Sequence, residues 1–274
     1  MLHVKDRSDN IGLTAHYTAY AWYKLGIAQT DLFITPQGRF MHLLAQGLLW
    51  PFGYLSTTNP EMLFLAARHR MIDYLLTQSR ADTIVELSAG LSERGYQWTK
   101  NRSLTYVETD LAEMVGRKAD ILLPYQRTNH LLIPLDAVKD NMFEKLSSII
   151  PKRVHVIVVC EGLISYFEAN DIIRVFTNVS QFLSRIGGGQ FLCDITPREN
   201  VLRFGVLARL FLHLMGIVAK SPPLAIQSIQ HALELAKATG FDRAACLDPM
   251  DFADAIHIKR LNNKGMVQIL HAWV

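Results

Sequence analysis

Four acidic residues recur at a nearly constant interval through the middle of the chain. Glu86, Asp110, Asp136 and Glu161 lie 24, 26 and 25 residues apart, each at or just after the end of a short apolar run. One βαβ step takes about 30 residues. In an open parallel sheet the carboxyl ends of the strands form one rim, and ligands bind where the strand order reverses. The spacing therefore predicts four carboxylates along one ligand-binding rim.

A rim of carboxylates favours a ligand that is cationic or rich in hydroxyls and amines. S-adenosylmethionine fits, because it has a sulfonium, an α-amino group, two ribose hydroxyls and an adenine amine. A dinucleotide fingerprint needs glycine at three offsets that here hold Ser88, Gly90 and Glu93. Since Glu93 would repel phosphate, the turn disfavours NAD. Any single strand-end acid could instead be a solvated helix N-cap.

The elements that would position these acids alternate between strand and helix, which predicts a parallel sheet with helices on both faces. Proline at position 134 places the third strand near a sheet edge, because proline cannot donate to a ladder. Residues 265–274 alternate apolar and polar and predict a last strand in a terminal hairpin. The first five strands are predicted at 83–87, 104–108, 131–135, 154–160 and 190–194, and one connecting helix at 169–186.

Two segments fall outside this alternation. Residues 1–60 have no strand pattern and contain three prolines, which predicts a helical cap before a main domain at 61–274. Residues 197–228 predict a helical insertion over the carboxyl edge of the sheet. Its most apolar helix, 204–218, is shorter than the roughly 20 residues of a bilayer span. A role at a membrane surface stays open.

Composition narrows the class of protein. Half of the 274 residues are hydrophobic and 19% are charged, so the chain can bury a sizeable core. A formal charge of +3 without a dense Lys/Arg run argues against a nucleic-acid partner. The three cysteines are far apart and lack metal-ligand spacing. They predict reduced thiols in a cytoplasmic protein with no metal site, and no signal-peptide pattern is visible.

Three motifs carry a resemblance to a known family. Residues 84–94 form a strand and a small-residue turn that run into an arginine. Residues 106–111 read Tyr-Val-Glu-Thr-Asp-Leu before Lys118, and residues 160–167 read Cys-Glu-Gly-Leu-Ile-Ser-Tyr-Phe. Together they resemble the leucine carboxyl methyltransferases, a class I S-adenosylmethionine-dependent family, on its tetracenomycin polyketide-type O-methyltransferase branch. The likeness covers about residues 60–195 and is looser over 14–20.

This resemblance implies the fold class and the cofactor site. The fold would be α/β, a Rossmann-like doubly wound, mostly parallel seven-stranded sheet with an antiparallel terminal strand, and the helical N-terminal segment and insertion would form a lid. Asp110 would hold the ribose hydroxyls, Asp136 and Ala137 would flank the adenine, and Ser88 and Gly90 would bring backbone near the methionine part. The implied cofactor-binding residues are Arg68, Glu86, Ser88, Gly90, Asp110, Asp136, Ala137 and Glu161.

The methionine end of the cofactor would be held by charge. Glu161 would face the α-amino group, and Arg68 would pair with the carboxylate, with Arg70 as the alternative. The family often has glycine where this chain has Ser88. If φ is positive there, serine costs energy, which would weaken the cofactor site.

Methyl transfer leaves little catalytic signature, because the enzyme mainly aligns donor and acceptor and excludes water. A carboxylate acceptor needs no general base, whereas a phenol or alcohol benefits from one. His16, His130 and His231 are candidate bases, each otherwise a surface or structural histidine. Because aromatic residues surround His16, His16 and Tyr20 are the candidate catalytic residues.

The resulting hypothesis is a small-molecule O-methyltransferase that acts on a hydroxyl or carboxyl of an apolar or polyketide-like acceptor. The chain would be a monomer or a homodimer without a transmembrane segment. Three alternatives stay open: a methyltransferase of protein C-terminal carboxyls, a catalytically weakened S-adenosylmethionine-binding protein, and an oxidoreductase on the same fold.

Overall fold

A computed structural model describes residues 14–49, 60–150, 154–203, 224–260 and 265–274 of the chain. Residues 14–24 form helix α1. The other helices described are α2 (Pro36–Leu49), α3 (Pro60–Gln78), α4 (Arg94–Trp98), α5 (Ala112–Leu122), α6 (Met142–Leu146), α7 (Ala169–Ile186), α8 (Arg198–Arg203) and α9 (Ile229–Ala238). The strands are β1 (Thr83–Leu87), β2 (Thr105–Asp110), β3 (His130–Pro134), β4 (Val156–Cys160), β5 (Gln190–Ile195), β6 (Arg243–Leu247) and β7 (Gln268–Trp273).

The seven strands form one sheet in the order β3-β2-β1-β4-β5-β7-β6. The first five are parallel, and β7 runs antiparallel to both of its neighbours. Strand order reverses between β1 and β4, so the crevice at their carboxyl ends is the expected ligand position. This confirms the predicted doubly wound sheet with an antiparallel terminal strand.

Both faces of the sheet are covered. Strands β1 and β4 are buried at every position, as expected for interior parallel strands of continuous apolar sequence. On one face α6, α7 and α9 pack against Val85, Val158 and Phe191. On the other, Met71, Ile72 and Leu76 of α3 belong to the cluster that contains the opposite side chains of the same strands. The two layers hold the strand ends in fixed positions.

Most of the predicted elements are confirmed, with small differences at their ends. Strand β1 and helix α7 have the predicted bounds, and α7 ends at Gly187 with a φ of 111°. Strand β3 is an edge strand, as Pro134 indicated. Strand β2 extends two residues further than predicted, so Asp110 is its last residue. Strand β6, which is partly exposed and begins with an arginine, was not located from the sequence.

The two irregular segments are described in part. Helices α1 and α2 lie within the predicted cap, whose independence as a unit stays a prediction. The predicted apolar helix 204–218 falls outside the described residues, as does most of the predicted insertion beyond α8. In the part of the chain that the structure describes, no helix has the length and apolar character that crossing a bilayer requires. The three cysteines are unpaired by disulfides.

Candidate functional site

The turn after β1 is fastened to the end of β2. The backbone N–H of Gly90 donates to Asp110 Oδ2 at 2.8 Å, and the N–H of Leu111 donates to Oδ1 at 2.7 Å. The N–H of Ala89 donates to the Thr109 carbonyl at 3.0 Å. The carboxylate therefore lies beside the turn with its orientation fixed. Burial raises the pKa of Asp110, against the lowering effect of these two backbone donors.

Two residues of the same turn have a left-handed backbone conformation. Ser88 has a φ of 52° and Gly90 a φ of 51°. Glycine adopts such values freely, whereas a residue with a Cβ is strained there. The structure thus gives Ser88 the positive φ at which serine is the unfavourable choice.

We expect Ser88→Gly to raise the free energy of unfolding by about 0.5–1 kcal/mol. Relief of the left-handed strain stabilises the folded protein by about 1–2 kcal/mol. The greater backbone entropy of glycine in the unfolded chain destabilises it by about 0.5–1 kcal/mol. Urea denaturation of the purified protein measures the difference. Ser103→Gly is the control, because Ser103 is exposed and is not among the residues with positive φ. A Ser88→Gly variant no more stable than Ser103→Gly would contradict the assignment of strain.

The end of β3 adjoins the end of β2. The N–H of Leu135 donates to the Asp110 carbonyl at 2.8 Å. Asp136 Oδ1 accepts from the N–H groups of Val138 at 3.0 Å and Lys139 at 3.2 Å, and its Oδ2 pairs with Lys139 Nζ at 2.9 Å. Ala137 beside it is buried. Asp136 and Ala137 thus follow Asp110 along the rim, and Asp136 also stabilises its own turn.

Arg94 binds three carboxylates at once. Its Nε, Nη1 and Nη2 each lie 2.6 Å from an oxygen of Asp73, Glu86 and Glu161 respectively. The Arg94 side chain is fully buried, and Glu86 also accepts from the Tyr106 hydroxyl at 2.8 Å. Burial would lower the pKa of Arg94, but the three carboxylates raise it well above its ordinary value. The Glu86 carboxylate is therefore bound inside the protein by Arg94 and Tyr106.

The end of β4 is held by a second arginine. Arg68 Nε donates to Glu161 Oε1 at 3.1 Å, and its Nη1 lies 3.4 Å from Asp194 Oδ2. His69 Nδ1 lies 3.0 Å from Glu161 Oε2, and the N–H of Gly162 donates to Asp194 Oδ1 at 2.6 Å. We call the following residues the charge cluster: Arg68, His69, Asp73, Glu86, Arg94, Glu161 and Asp194.

The pKa values of two acids in the charge cluster are shifted in opposite directions. Burial would raise the pKa of Glu161, but the charges of His69, Arg94 and Arg68 outweigh it and hold that pKa well below its ordinary value. Burial raises the pKa of Asp194 despite Arg68. Glu161 is therefore firmly anionic at neutral pH.

The two candidate catalytic residues lie on α1. His16 is buried, with Nδ1 2.8 Å from Thr35 Oγ1 and Nε2 3.0 Å from Arg117 Nη1. Since an arginine only donates, Nε2 is the acceptor and Nδ1 carries the proton. Burial, and then the charge of Arg117, lowers the pKa of His16. The Tyr20 ring packs edge-on against His42, with centroids 5.1 Å apart.

The other two candidate bases, His130 and His231, also have hydrogen-bond partners within the protein. His130 Nε2 lies 3.1 Å from Glu108 Oε1, and His231 Nδ1 accepts from the N–H of Gln227 at 3.2 Å. Arg70, the alternative to Arg68, donates to the backbone carbonyl of His257. It takes part in no ion pair of the charge cluster among the described contacts.

Sequence reasoning missed the importance of Arg94, His69 and Asp194. Arg94 was noted only as the end of a motif, although a glutamate inside a buried strand requires a cationic partner. Asp194 extends the series of strand-end acids to β5, which the sequence pattern already contained. Among the described residues, no group of His, Cys, Asp and Glu side chains could hold a metal ion.

Comparison with protein families gives one match. The sequence model for leucine carboxyl methyltransferase matches residues 35–180, which is more than half of the chain. No curated protein matches the sequence.

Solved structures with a similar fold include several methyltransferases. An O-methyltransferase described as putative from Nostoc punctiforme PCC 73102 has a TM-score of 0.53 and 13% identity over 81% of this chain and 62% of its own. The methyltransferase CalO6 has a TM-score of 0.52 and 12% identity over 87% and 75%. PigF with SAH has a TM-score of 0.51 and 12% identity over 78% and 59%.

At these identities the likeness establishes the fold alone. The chain spans about three fifths of the length of PigF and of the Nostoc protein. The shared fold is the Rossmann-like α/β fold of these methyltransferases.

Proposed function

Because this chain belongs to the leucine carboxyl methyltransferase family, we propose that it is an S-adenosylmethionine-dependent O-methyltransferase that acts on a hydroxyl or carboxyl of a small, apolar or polyketide-like molecule. The tetracenomycin-type branch is part of this proposal. The observation that carries it is the Asp110 carboxylate, fixed beside the turn after β1 at the crevice where strand order reverses.

Asp110 has the capacity to bind a ribose. A carboxylate has about four acceptor sites, and each oxygen of Asp110 accepts one backbone N–H. The remaining lone pairs are available for two hydroxyl donors. Asp136 and Ala137 follow it along the rim, and we assign these two residues to the adenine. Lys139, which pairs with Asp136, is 60% exposed and free to move into water.

The methionine end would lie between β4 and α3. The charge cluster has four carboxyl groups, on Asp73, Glu86, Glu161 and Asp194, against the guanidinium groups of Arg68 and Arg94 and the imidazole of His69. Glu161 is the acid whose pKa is held low, so we assign the ammonium group to it.

A carboxylate would pair with Arg68. A side chain at Gly162 would place its Cβ 2.9 Å from Arg68 Nη2, so the glycine leaves this part of the guanidinium uncovered. The φ of 72° at Gly162 also favours glycine at this position.

The cofactor, when bound, supplies a methyl group carried on a sulfonium. Ser88, Gly90 and Glu161 are assigned to orient the donor, and α1 to exclude water from the crevice. The Nε2 lone pair of His16 is engaged by Arg117. This favours a carboxyl acceptor, or an already acidic hydroxyl, over an alcohol that needs His16 as its base.

A thermal-shift titration tests the cofactor. We expect S-adenosylhomocysteine at 100 times its dissociation constant to stabilise the protein by about 2.7 kcal/mol, and NADH at the same concentration to give no shift. Stabilisation by NADH alone would overturn the proposal. Transfer of labelled methyl from S-adenosylmethionine to a panel of carboxylic acids, phenols and alcohols would then identify the acceptor class, and specific binding without any transfer would point to a binding protein.

A further inference from the structure

Glu93 makes an unusual set of hydrogen bonds. Glu93 is buried and in the sequence lies between the turn at Gly90 and Arg94 of the charge cluster. Oε1 accepts from the backbone N–H of Gln29 at 2.6 Å, and Oε2 accepts from the N–H of Thr30 at 3.1 Å. These two donors belong to the loop between α1 and α2, more than 60 residues earlier in the chain. A single carboxylate thus joins two distant segments.

In the described part of the chain the Glu93 side chain neither caps a helix nor forms an ion pair. Glu93 is the N-cap residue of α4, yet its side chain makes no capping hydrogen bond. Its remaining bond is a 3.1 Å contact from Gln97 Nε2, and the ion pairs among the described residues do not include it. The buried charge is therefore stabilised mainly by the two N–H groups of the loop, and such charge-assisted bonds are roughly twice as strong as neutral ones.

The segment that Glu93 holds covers the proposed cofactor turn. Ala15 of α1 stands directly over Gly90, because a Cβ on Gly90 would lie 3.0 Å from the Ala15 Cβ. Phe33, which lies in the same loop, packs in a cluster with Leu91 of the turn. The contacts of α1 and of the loop therefore reach the turn that binds Asp110.

We propose that Glu93 is a positioning residue that fastens residues 15–33 over the cofactor turn and thereby sets how long S-adenosylhomocysteine is retained. The retention part rests on the proposed function, whereas the fastening part does not. A ligand bound beside the turn would be enclosed by this segment, and opening of the segment breaks both bonds to Glu93. Segments of this kind often limit product release.

Hydrogen exchange at the Gln29 and Thr30 amides tests the fastening without any ligand. In Glu93→Gln the neutral side chain keeps one acceptor oxygen and turns an NH2 group toward the other donor. We expect exchange of the two amides to become about tenfold faster, while the amides of Val156–Cys160 in β4 stay unchanged as an internal reference. Gln97→Ala is the matched control, because it removes the third bond to Glu93 and leaves both loop donors in place. Unchanged exchange in Glu93→Gln would overturn the proposal.

Dissociation of S-adenosylhomocysteine tests the retention. We expect its rate constant to rise about tenfold in Glu93→Gln and to change less than about twofold in Gln97→Ala. Faster amide exchange with an unchanged dissociation rate would overturn the retention role. If the wild-type protein fails to bind S-adenosylhomocysteine, the proposed function and the retention role both fail, and the exchange measurement still decides whether Glu93 fastens the segment.

Discussion

Replacing Arg94 with methionine is expected to lower the free energy of unfolding by about 3–5 kcal/mol. Arg94 donates to Asp73, Glu86 and Glu161, each at 2.6 Å, from a fully buried side chain. Methionine fills a similar volume and offers no donor, so Glu86 loses its ion-pair partner and Glu161 keeps only Arg68 and His69. Urea denaturation followed by circular dichroism measures the loss, with equal m-values as the check that the folded states are comparable.

Two further variants isolate the cause of this loss. Arg102→Met removes an exposed arginine, and we expect it to change stability by less than about 0.5 kcal/mol. In Arg94→Met combined with Glu161→Gln one of the buried charges is gone, so part of the loss should return, with a coupling energy of about 0.5–3 kcal/mol. Stability changes that simply add, or an Arg94→Met protein as stable as Arg102→Met, would show that Arg94 does not balance these acids.

Asp110→Ala is expected to weaken binding of S-adenosylhomocysteine by at least about 150-fold while the protein stays folded. Loss of hydrogen bonds to a charged group costs about 1.5–3 kcal/mol each, and Asp110 is proposed to accept two from the ribose. Isothermal titration calorimetry measures the affinity. The Gly90 and Leu111 amides that donate to Asp110 become accessible to water or ligand in the variant, so the effect on folding should be smaller than the effect on binding.

Glu113→Gln is the matched control for Asp110→Ala. Glu113 lies three residues further along the chain, its side chain is 81% exposed, and its ion pair with Arg117 is long at 3.9 Å. We expect wild-type affinity from this variant. Full affinity in a folded Asp110→Ala protein would remove the central support for the proposed cofactor site.

The sequence predicted the sheet well because local patterns determine it. The continuous apolar sequences of β1 and β4 predict buried strands, and both strands are buried. Pro134 predicted an edge strand, and β3 lies at the edge of the sheet. Strand β6 escaped prediction because Arg243, two alanines and Cys246 form a short, half-exposed strand without a strong period. Its place in the sheet is decided by pairing with β7, which is a tertiary contact.

The sequence predicted which strand end each acid occupies, but it did not predict which side chains contact that acid. Strand-end spacing placed Asp110 at the crevice, but it gave the same weight to Glu86 and Glu161, whose carboxylates are bound by Arg94. Spacing along the chain reports which strand end a residue occupies and carries no information on the cations that reach it from elsewhere. Glu93 illustrates the same limit, because its partners lie more than 60 residues away.

The position of β7 between β5 and β6 has a consequence for synthesis. In the described part of the chain β6 pairs with β7, which follows it in the chain, so during synthesis β6 is made before its partner. Until β7 has been made, β5 has one unpaired edge, and unpaired strand edges favour association with other nascent chains. Such association is therefore expected mainly in the interval before β7 is complete.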